Sequence, residues 1–331
     1  MFGKRGGRPA LGGQITTPRS LAGVHVSLAE LAALEHRSLT GAAPPRRLLE
    51  SLLTGRHASR MRGRGLDFIE LRHYLPGDDV RAIDWRVTAR SGRPHVRVYT
   101  EERDRPVVLL VDQRQNMFFA TRRAMKSVVA AEAAALLGWT MRRGGDRVGA
   151  LVIGDSDLAS FTPHRSRAGW LRVLGEIARR NQALSADETD TTAPGMLDQA
   201  LAQLLRVLNP GQCILLLSDF HGAGEPTHDL IAQLTRRHQL LAMPVWDPGA
   251  GLWPERGRYV VSNGPLQLAL TGGDAAERQR CTEEGAAHRR RVQRWREELA
   301  VPSLPLSTSE DVAAQLRRAL AIDPGGQVDG R

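Results

Sequence analysis

Each apolar run that the sequence predicts as a buried strand has an aspartate at its carboxyl end. Asp112 closes Val107–Val111, Asp155 follows Val148–Ile153, Ser218-Asp219 follows Cys213–Leu217, and Asp247 follows Leu240–Val245. In an open α/β sheet, ligands gather beyond the carboxyl ends of the strands, near the point where strand order reverses. Carboxylate and hydroxyl oxygens placed there suit a hard cation such as Mg²⁺, which keeps coordination positions open for a further ligand. Asp112 and Asp219 are read as such a site. Asp155 and Asp247 are read as caps of strand-to-helix turns, a frequent use of aspartate. A metal-dependent hydrolase built on Asp112, Asp155 and Asp219 is an alternative that the carboxylates alone leave open.

A second constellation lies upstream, in the dense segment Gly63–Arg86. Tyr74-Leu-Pro-Gly77 predicts a turn, because Pro fixes φ and Gly supplies positive-φ freedom, and that turn presents Asp78 and Asp79 together. Arg72, Arg81 and Arg86 are the candidate cations for these acids. Asp84-Trp85 adds an aromatic ring on which a guanidinium can stack. Two readings follow. In one, Arg72, Tyr74, Asp78, Asp79, Arg81, Asp84, Trp85 and Arg86 form a docking surface for a partner; in the other, they form an internal ion-pair network that clamps this part of the chain onto the sheet.

The elements that must position these residues follow from hydrophobic periodicity. Four apolar runs of strand length alternate with amphipathic helical patterns, such as Leu197, Leu201, Leu204 and Leu208, from Arg105 onward. That alternation predicts an α/β fold with a doubly wound, mostly parallel sheet, and Leu158–Thr162 is expected as an antiparallel edge strand. The expected organisation is a mobile basic tail at 1–20, an N-terminal subdomain carrying the Pro-Gly-Asp-Asp motif at 21–105, and the α/β domain at 106–247. A C-terminal hairpin and helices at 248–322 and a tail at 323–331 complete it. Ser27 with Glu30 predicts a capped short helix, Leu48–Leu53 another short helix, and Pro94–Thr100 an alternating strand, with the rest of 64–105 irregular. Ala275–Leu299 reads as a long charged helix. Ser307-Thr-Ser-Glu310 reads as a capping box opening the last one.

Composition excludes several classes. No apolar run reaches the roughly 18 residues of a bilayer-spanning helix, and Met1–Gly13 lacks the apolar core of a signal peptide, so the expectation is a cytoplasmic protein without a membrane span. Cys213 and Cys281 form no Cys-x-x-Cys pair. The net charge of +10 raises nucleic acid as a partner, but all the basic residues except Lys4 and Lys126 are arginines scattered beside acids instead of forming one stripe. A nucleic-acid-binding role through these arginines is therefore the lesser alternative. The phosphate-binding Gly-x-x-x-x-Gly-Lys-Ser/Thr loop, the Gly-x-Ser-x-Gly elbow and His-Glu-x-x-His are all absent.

Gly65-Leu-Asp-Phe-x-Glu-Leu-Arg-x-Tyr-x-Pro-Gly-Asp-Asp-Val-Arg-x-Ile-Asp-Trp-Arg86, Arg97-x-Tyr-x-Glu-Glu102 and Val108-Leu-Leu-Val-Asp112 together resemble the bacterial domain of unknown function 58 family. The resemblance runs from about Val24 to Leu320, and the central part resembles a von Willebrand factor A-type domain. It implies a non-enzymatic partner of a MoxR-type AAA+ ATPase in chaperone-like complex assembly, with other von Willebrand factor A-like proteins as further partners. It also implies a metal-ion-dependent adhesion site, Asp-x-Ser-x-Ser with a Thr and a second Asp. Here that stretch is Asp112-Gln-Arg-Gln-Asn116, the second Asp matches Asp219, and Thr191 within Thr189-Asp-Thr-Thr192 is the candidate threonine. Asn116 offers an amide oxygen. Arg114, a guanidinium beside Asp112 and Asp219, satisfies those carboxylates and repels a divalent cation, so Mg²⁺ binding is expected to be weak or lost.

Overall fold

The computed structural model describes residues 22–37, 66–75, 78–101, 106–186, 193, 195–250, 257–262, 267–272 and 275–320. The tails expected at 1–20 and 323–331, the helix expected at Leu48–Leu53, and Thr191 lie outside the described residues.

Buried, continuously apolar segments form the middle of a six-stranded sheet. Strands β3 (Val107–Asp112), β4 (Val148–Ile153), β6 (Cys213–Ser218) and β7 (Gln239–Trp246) are parallel. β5 (Leu158–His164) pairs antiparallel with β4 at one edge, and the two-residue β10 (Leu306–Ser307) lies parallel to β7 at the other. The order is β10-β7-β6-β3-β4-β5. The chain therefore winds outward from β3 through β4 and β5, then returns to build β6 and β7 on the other side. The reversal lies between β3 and β6, so Asp112 and Asp219 meet at the crevice where such sheets hold their sites.

Both faces of the sheet are covered, as the unbroken apolar strands require. Val107, Leu109, Val111, Val152, Leu215 and Met243 point to one face, covered by α1 (Leu28–Ala33), α3 (Lys126–Arg143), α4 (Arg167–Ala183) and α8 (Val312–Leu320). Val108, Leu110, Leu151, Ile214 and Leu216 point to the other, covered by α5 (Met196–Val207), α6 (Glu225–Thr235) and the long α7 (Ala275–Glu298). Helix α3 is buried nearly all round, from Ser127 to Met141. Its alanines let the neighbouring helix come close, and Gly138 lies directly under the indole of Trp170 on α4. The expected capping box closes α1, with Ser27 N donating to Glu30 Oε2 at 2.7 Å and Glu30 N to Ser27 Oγ at 3.2 Å. Trp139 Nε1 donates to Leu31 O at 3.0 Å, fixing α1 on α3.

Upstream, β1 (Leu66–His73) and β2 (His95–Glu101) form an antiparallel pair, with α2 (Trp85–Ser91) between them. Sequence periodicity did not reveal β1. A register shift between Phe68 and Glu70 puts an extra residue in the strand, and one extra residue breaks a two-residue alternation. A second hairpin, β8 (Gly257–Ser262) with β9 (Gln267–Gly272), precedes α7. The capping box expected at Ser307–Glu310 does not form. Ser307 belongs to β10 and its N–H donates to Gln315 Oε1, while Asp311, adjacent to the helix, takes the cap by accepting from Ala314 N at 2.9 Å.

Candidate functional site

Asp112 leaves the end of β3 fully buried, so its charge must be met by groups of the fold. Arg114, two residues on, folds back over it: Nε donates to Oδ1 at 2.9 Å and Nη2 to Oδ2 at 2.7 Å, while its backbone N–H reaches Oδ1 at 3.1 Å. Ser218 Oγ, at the end of β6, donates to Oδ2 at 2.6 Å. The guanidinium is itself buried. Burial alone would lower its pKa, but the charge of Asp112 and its hydrogen bonds, with Asp219 and Asp155 beyond, outweigh that and hold the pKa above the ordinary arginine value. This is a fork-on-fork pair, the strongest ion-pair geometry side chains make.

Asp219 begins the loop after β6 and is met by different donors. Asn116 Nδ2 and His221 N both donate to Oδ1, at 2.8 and 2.9 Å, and the ammonium of Lys126 rests on Oδ2. Lys126 also lies 5.8 Å from the centre of the half-exposed Phe119 ring. Burial tends to raise the Asp219 pKa, yet the Lys126 charge and hydrogen bond, the His221 amide and Arg114 lower it overall. Neither Lys126 nor Ser218 is among the site residues that the sequence predicts. A signal for Lys126 existed: it is one of two lysines in the chain, and it occupies the first residue of a helix, where the macrodipole disfavours a cation. A lysine there needs an acid opposite.

Two expectations are corrected by this geometry. Arg114 bonds Asp112 and the carbonyl of His221, at 3.4 Å, while Lys126 takes the carboxylate of Asp219. Asn116 points its amide nitrogen, not its oxygen, at Asp219, since a carboxylate needs donors. Asp155 accepts from Gln115 N at 2.7 Å, which ties the loop after β4 to the loop after β3. Asp247 accepts from Thr121 N at 2.8 Å and Thr121 Oγ1 at 2.6 Å, from Thr308 Oγ1 at 2.5 Å, and from Gly249 N at 2.7 Å. It is a loop fastener. Among the described residues, no three His, Cys, Asp or Glu side chains are grouped so as to hold a metal ion.

The loop carrying Asp219 is fixed from above by α7. Phe220 has φ of 57°, a left-handed backbone rare outside glycine, and its buried ring meets Trp295 edge-on at 4.9 Å. His288 Nε2 donates to Asp219 O at 2.6 Å, and Arg291 Nη1 to Ala223 O at 2.7 Å.

The motif segment is held mostly by itself. Arg72 makes a bidentate pair with Asp78, at 2.8 and 2.7 Å, and Asp78 Oδ2 accepts from Leu75 N at 2.9 Å. Asp79 accepts from Arg81 N, and the buried Asp84 caps α2 by accepting from Arg86 N and Val87 N. Tyr74 N bonds Pro94 O, closing the segment on the approach to β2. Arg81 and Arg86, expected as side-chain partners of the acids, contribute their backbone N–H groups instead. A carboxylate just before a helical turn meets those amides without ordering a long side chain. Trp85 is 68% exposed, and among the described residues the arginines that lie over aromatic rings are Arg142 and Arg167, both on Trp139.

The fold and this crevice define a class: a mostly parallel, doubly covered α/β protein whose carboxylates at the reversal of strand order, Asp112 and Asp219, are held by its own cations. Residues 70–291 match the family described as "Protein of unknown function DUF58". Uncharacterized proteins of Mycobacterium bovis and Mycobacterium tuberculosis are 31% identical to this chain over 283 residues, 85% of it and 87% of theirs. The chain belongs to the DUF58 family. Among solved structures, conserved hypothetical protein BatB from Bacteroides thetaiotaomicron aligns at 12% identity and a TM-score of 0.37, over 66% of this chain and 97% of that one. An aerotolerance-related membrane protein from Bacteroides fragilis aligns at 13% identity and the same TM-score, over 66% and 98%. In this chain no described helix is long and apolar enough to cross a membrane.

Proposed function

We propose that this chain is a non-enzymatic binding protein, an adaptor for a MoxR-type AAA+ ATPase, whose central domain is von Willebrand factor A-like and whose metal-ion-dependent adhesion site has been closed by internal cations. The observation that carries this reading is the pairing of Arg114 with Asp112 and of Lys126 with Asp219. A divalent ion needs those oxygens, and displacing a buried guanidinium from a bidentate carboxylate would strand two charges, at a cost of several kcal/mol. Mg²⁺ is therefore weakly bound or absent in this reading. The same contacts weigh against the hydrolase alternative, because Asp112 and Asp219 are committed to cations and Asp155 to the Gln115 amide. What remains is a preorganised rim at the strand ends, suited to recognition.

The test is co-purification from the native lysate, with nuclease, in Mg²⁺ and in EDTA, read by mass spectrometry. Recovery of an AAA+ ATPase in both buffers is the expected result. Recovery only in Mg²⁺ would restore a metal-dependent contact, and recovery only of nucleic-acid-associated proteins that disappear with nuclease would replace the adaptor reading with the nucleic-acid one.

A further inference from the structure

The motif segment carries side chains that its own architecture leaves unused. Its acids are consumed internally, in the Arg72–Asp78 pair and in the caps of Asp79 and Asp84. Three of its cations are not: among the described residues, Arg81, Arg86 and Arg90 are exposed and hold no ion pair or side-chain hydrogen bond. Beside them in the chain stand three large apolar side chains in solvent, Leu75 at 58%, Val80 at 58% and Trp85 at 68% exposed. Arg86 and Arg90 are one helical turn apart on α2, with Trp85 heading the same helix, and the bonds of Tyr74 to Pro94 and of Asp84 to His95 fold the segment into one small lobe.

From this we infer that the lobe formed by residues 74–75 and 78–90 is a docking surface for an acidic protein segment bearing apolar side chains. Charge complementarity selects the acid, since the described residues of the lobe expose three arginines, Arg81, Arg86 and Arg90, and a single carboxylate, that of Asp79. The apolar residues select a protein over a nucleic acid. A phosphate backbone and stacked bases would use the arginines and Trp85 but gain nothing from Leu75 and Val80. Exposed tryptophan and arginine are also the side chains that dominate protein–protein contacts when they become buried. This inference rests on the binding-protein reading above and names the chemistry of what is bound.

Fluorescence anisotropy on the full-length protein tests it, using a labelled short peptide of alternating glutamate and leucine. The comparison probes are the same peptide with lysine for glutamate, the same peptide with serine for leucine, and oligodeoxythymidine. The glutamate–leucine peptide is expected to bind saturably and the other probes at least about tenfold more weakly; Trp85→Ser and Arg86→Glu should each weaken it about tenfold with unchanged Tm. Equal binding of the lysine or serine peptide, tighter binding of the oligonucleotide, or unaltered binding by both variants would overturn the inference. Failure of the adaptor reading shows differently, as the absence of an ATPase on co-purification while peptide binding persists.

Discussion

Lys126 opens helix α3 with its ammonium on the carboxylate of Asp219, 93 residues away in sequence, and that pair links the helix following β3 to the loop following β6, the two strands between which the sheet order reverses. The lysine is 14% and the aspartate 11% exposed. An ion pair this shielded matters chiefly when one half is removed, because the other is then buried without a counter-charge.

Lys126→Met should therefore cost about 3 kcal/mol of unfolding free energy, while Lys126→Met combined with Asp219→Asn should recover a substantial part of that loss. Urea denaturation of the wild type, both single variants and the double variant measures the coupling. Additive effects would mean that the two groups do not depend on each other.

Removing both internal cations should open the crevice to a divalent ion. Arg114→Ser with Lys126→Ser frees the oxygens of Asp112 and Asp219 and restores hydroxyls at the crevice. The double variant should show a saturable rise in Tm with Mg²⁺ or Mn²⁺ that EDTA reverses, against no shift in the wild type. A metal-dependent shift in the wild type would show that the internal pairs yield to an ion.

Arg72 and Arg81 sit nine residues apart in one motif and should behave oppositely. Arg72→Ala breaks a bidentate pair with Asp78 and should destabilise the lobe by about 1–3 kcal/mol, seen as faster amide exchange at Leu75. Arg81→Ala should leave stability within about 0.5 kcal/mol and act on acidic-peptide binding instead. If Arg81→Ala unfolds the lobe, its guanidinium has a structural partner after all.

His288 ties α7 to the Asp219 loop as a neutral hydrogen-bond donor. Burial, reinforced by nearby His221 and Arg291 and partly opposed by Asp219, holds its pKa below the ordinary 6.5. Its stabilisation is thus complete above pH 6.5 and is lost as pH falls through the lower folded value. The wild type should lose more Tm than His288→Gln between about pH 7 and 5, so that the two melting curves converge on acidification. Parallel curves across that range would show that this imidazole is not what responds.

Gly138→Ala places a methyl inside the van der Waals envelope of the buried Trp170 ring. Alanine gains roughly 1 kcal/mol in helix propensity, but overpacking a rigid indole costs about 1–3 kcal/mol, so the net change should be destabilising. Thermal denaturation decides the sign. Pairing the change with Trp170→Leu should relieve the penalty.

The sequence by itself determined the parallel core, because a strand covered on both faces must be apolar at every residue and Val107–Val111 or Cys213–Leu217 read no other way. It also placed Asp112 and Asp219 at strand ends and put Arg114 within reach of Asp112, with which it pairs. Hydrophobic periodicity is a local signal, so it missed β1, where the irregularity between Phe68 and Glu70 breaks the alternation, and it set the last cap at Ser307 when Asp311 lay closer to the helix. Which cation holds which acid was decided by the tertiary structure alone. Lys126 reaches Asp219 and Ser218 reaches Asp112 only because the sheet reverses between β3 and β6. The same is true of Arg81 and Arg86, whose side chains stay in solvent because the caps at Asp79 and Asp84 are satisfied by backbone amides first.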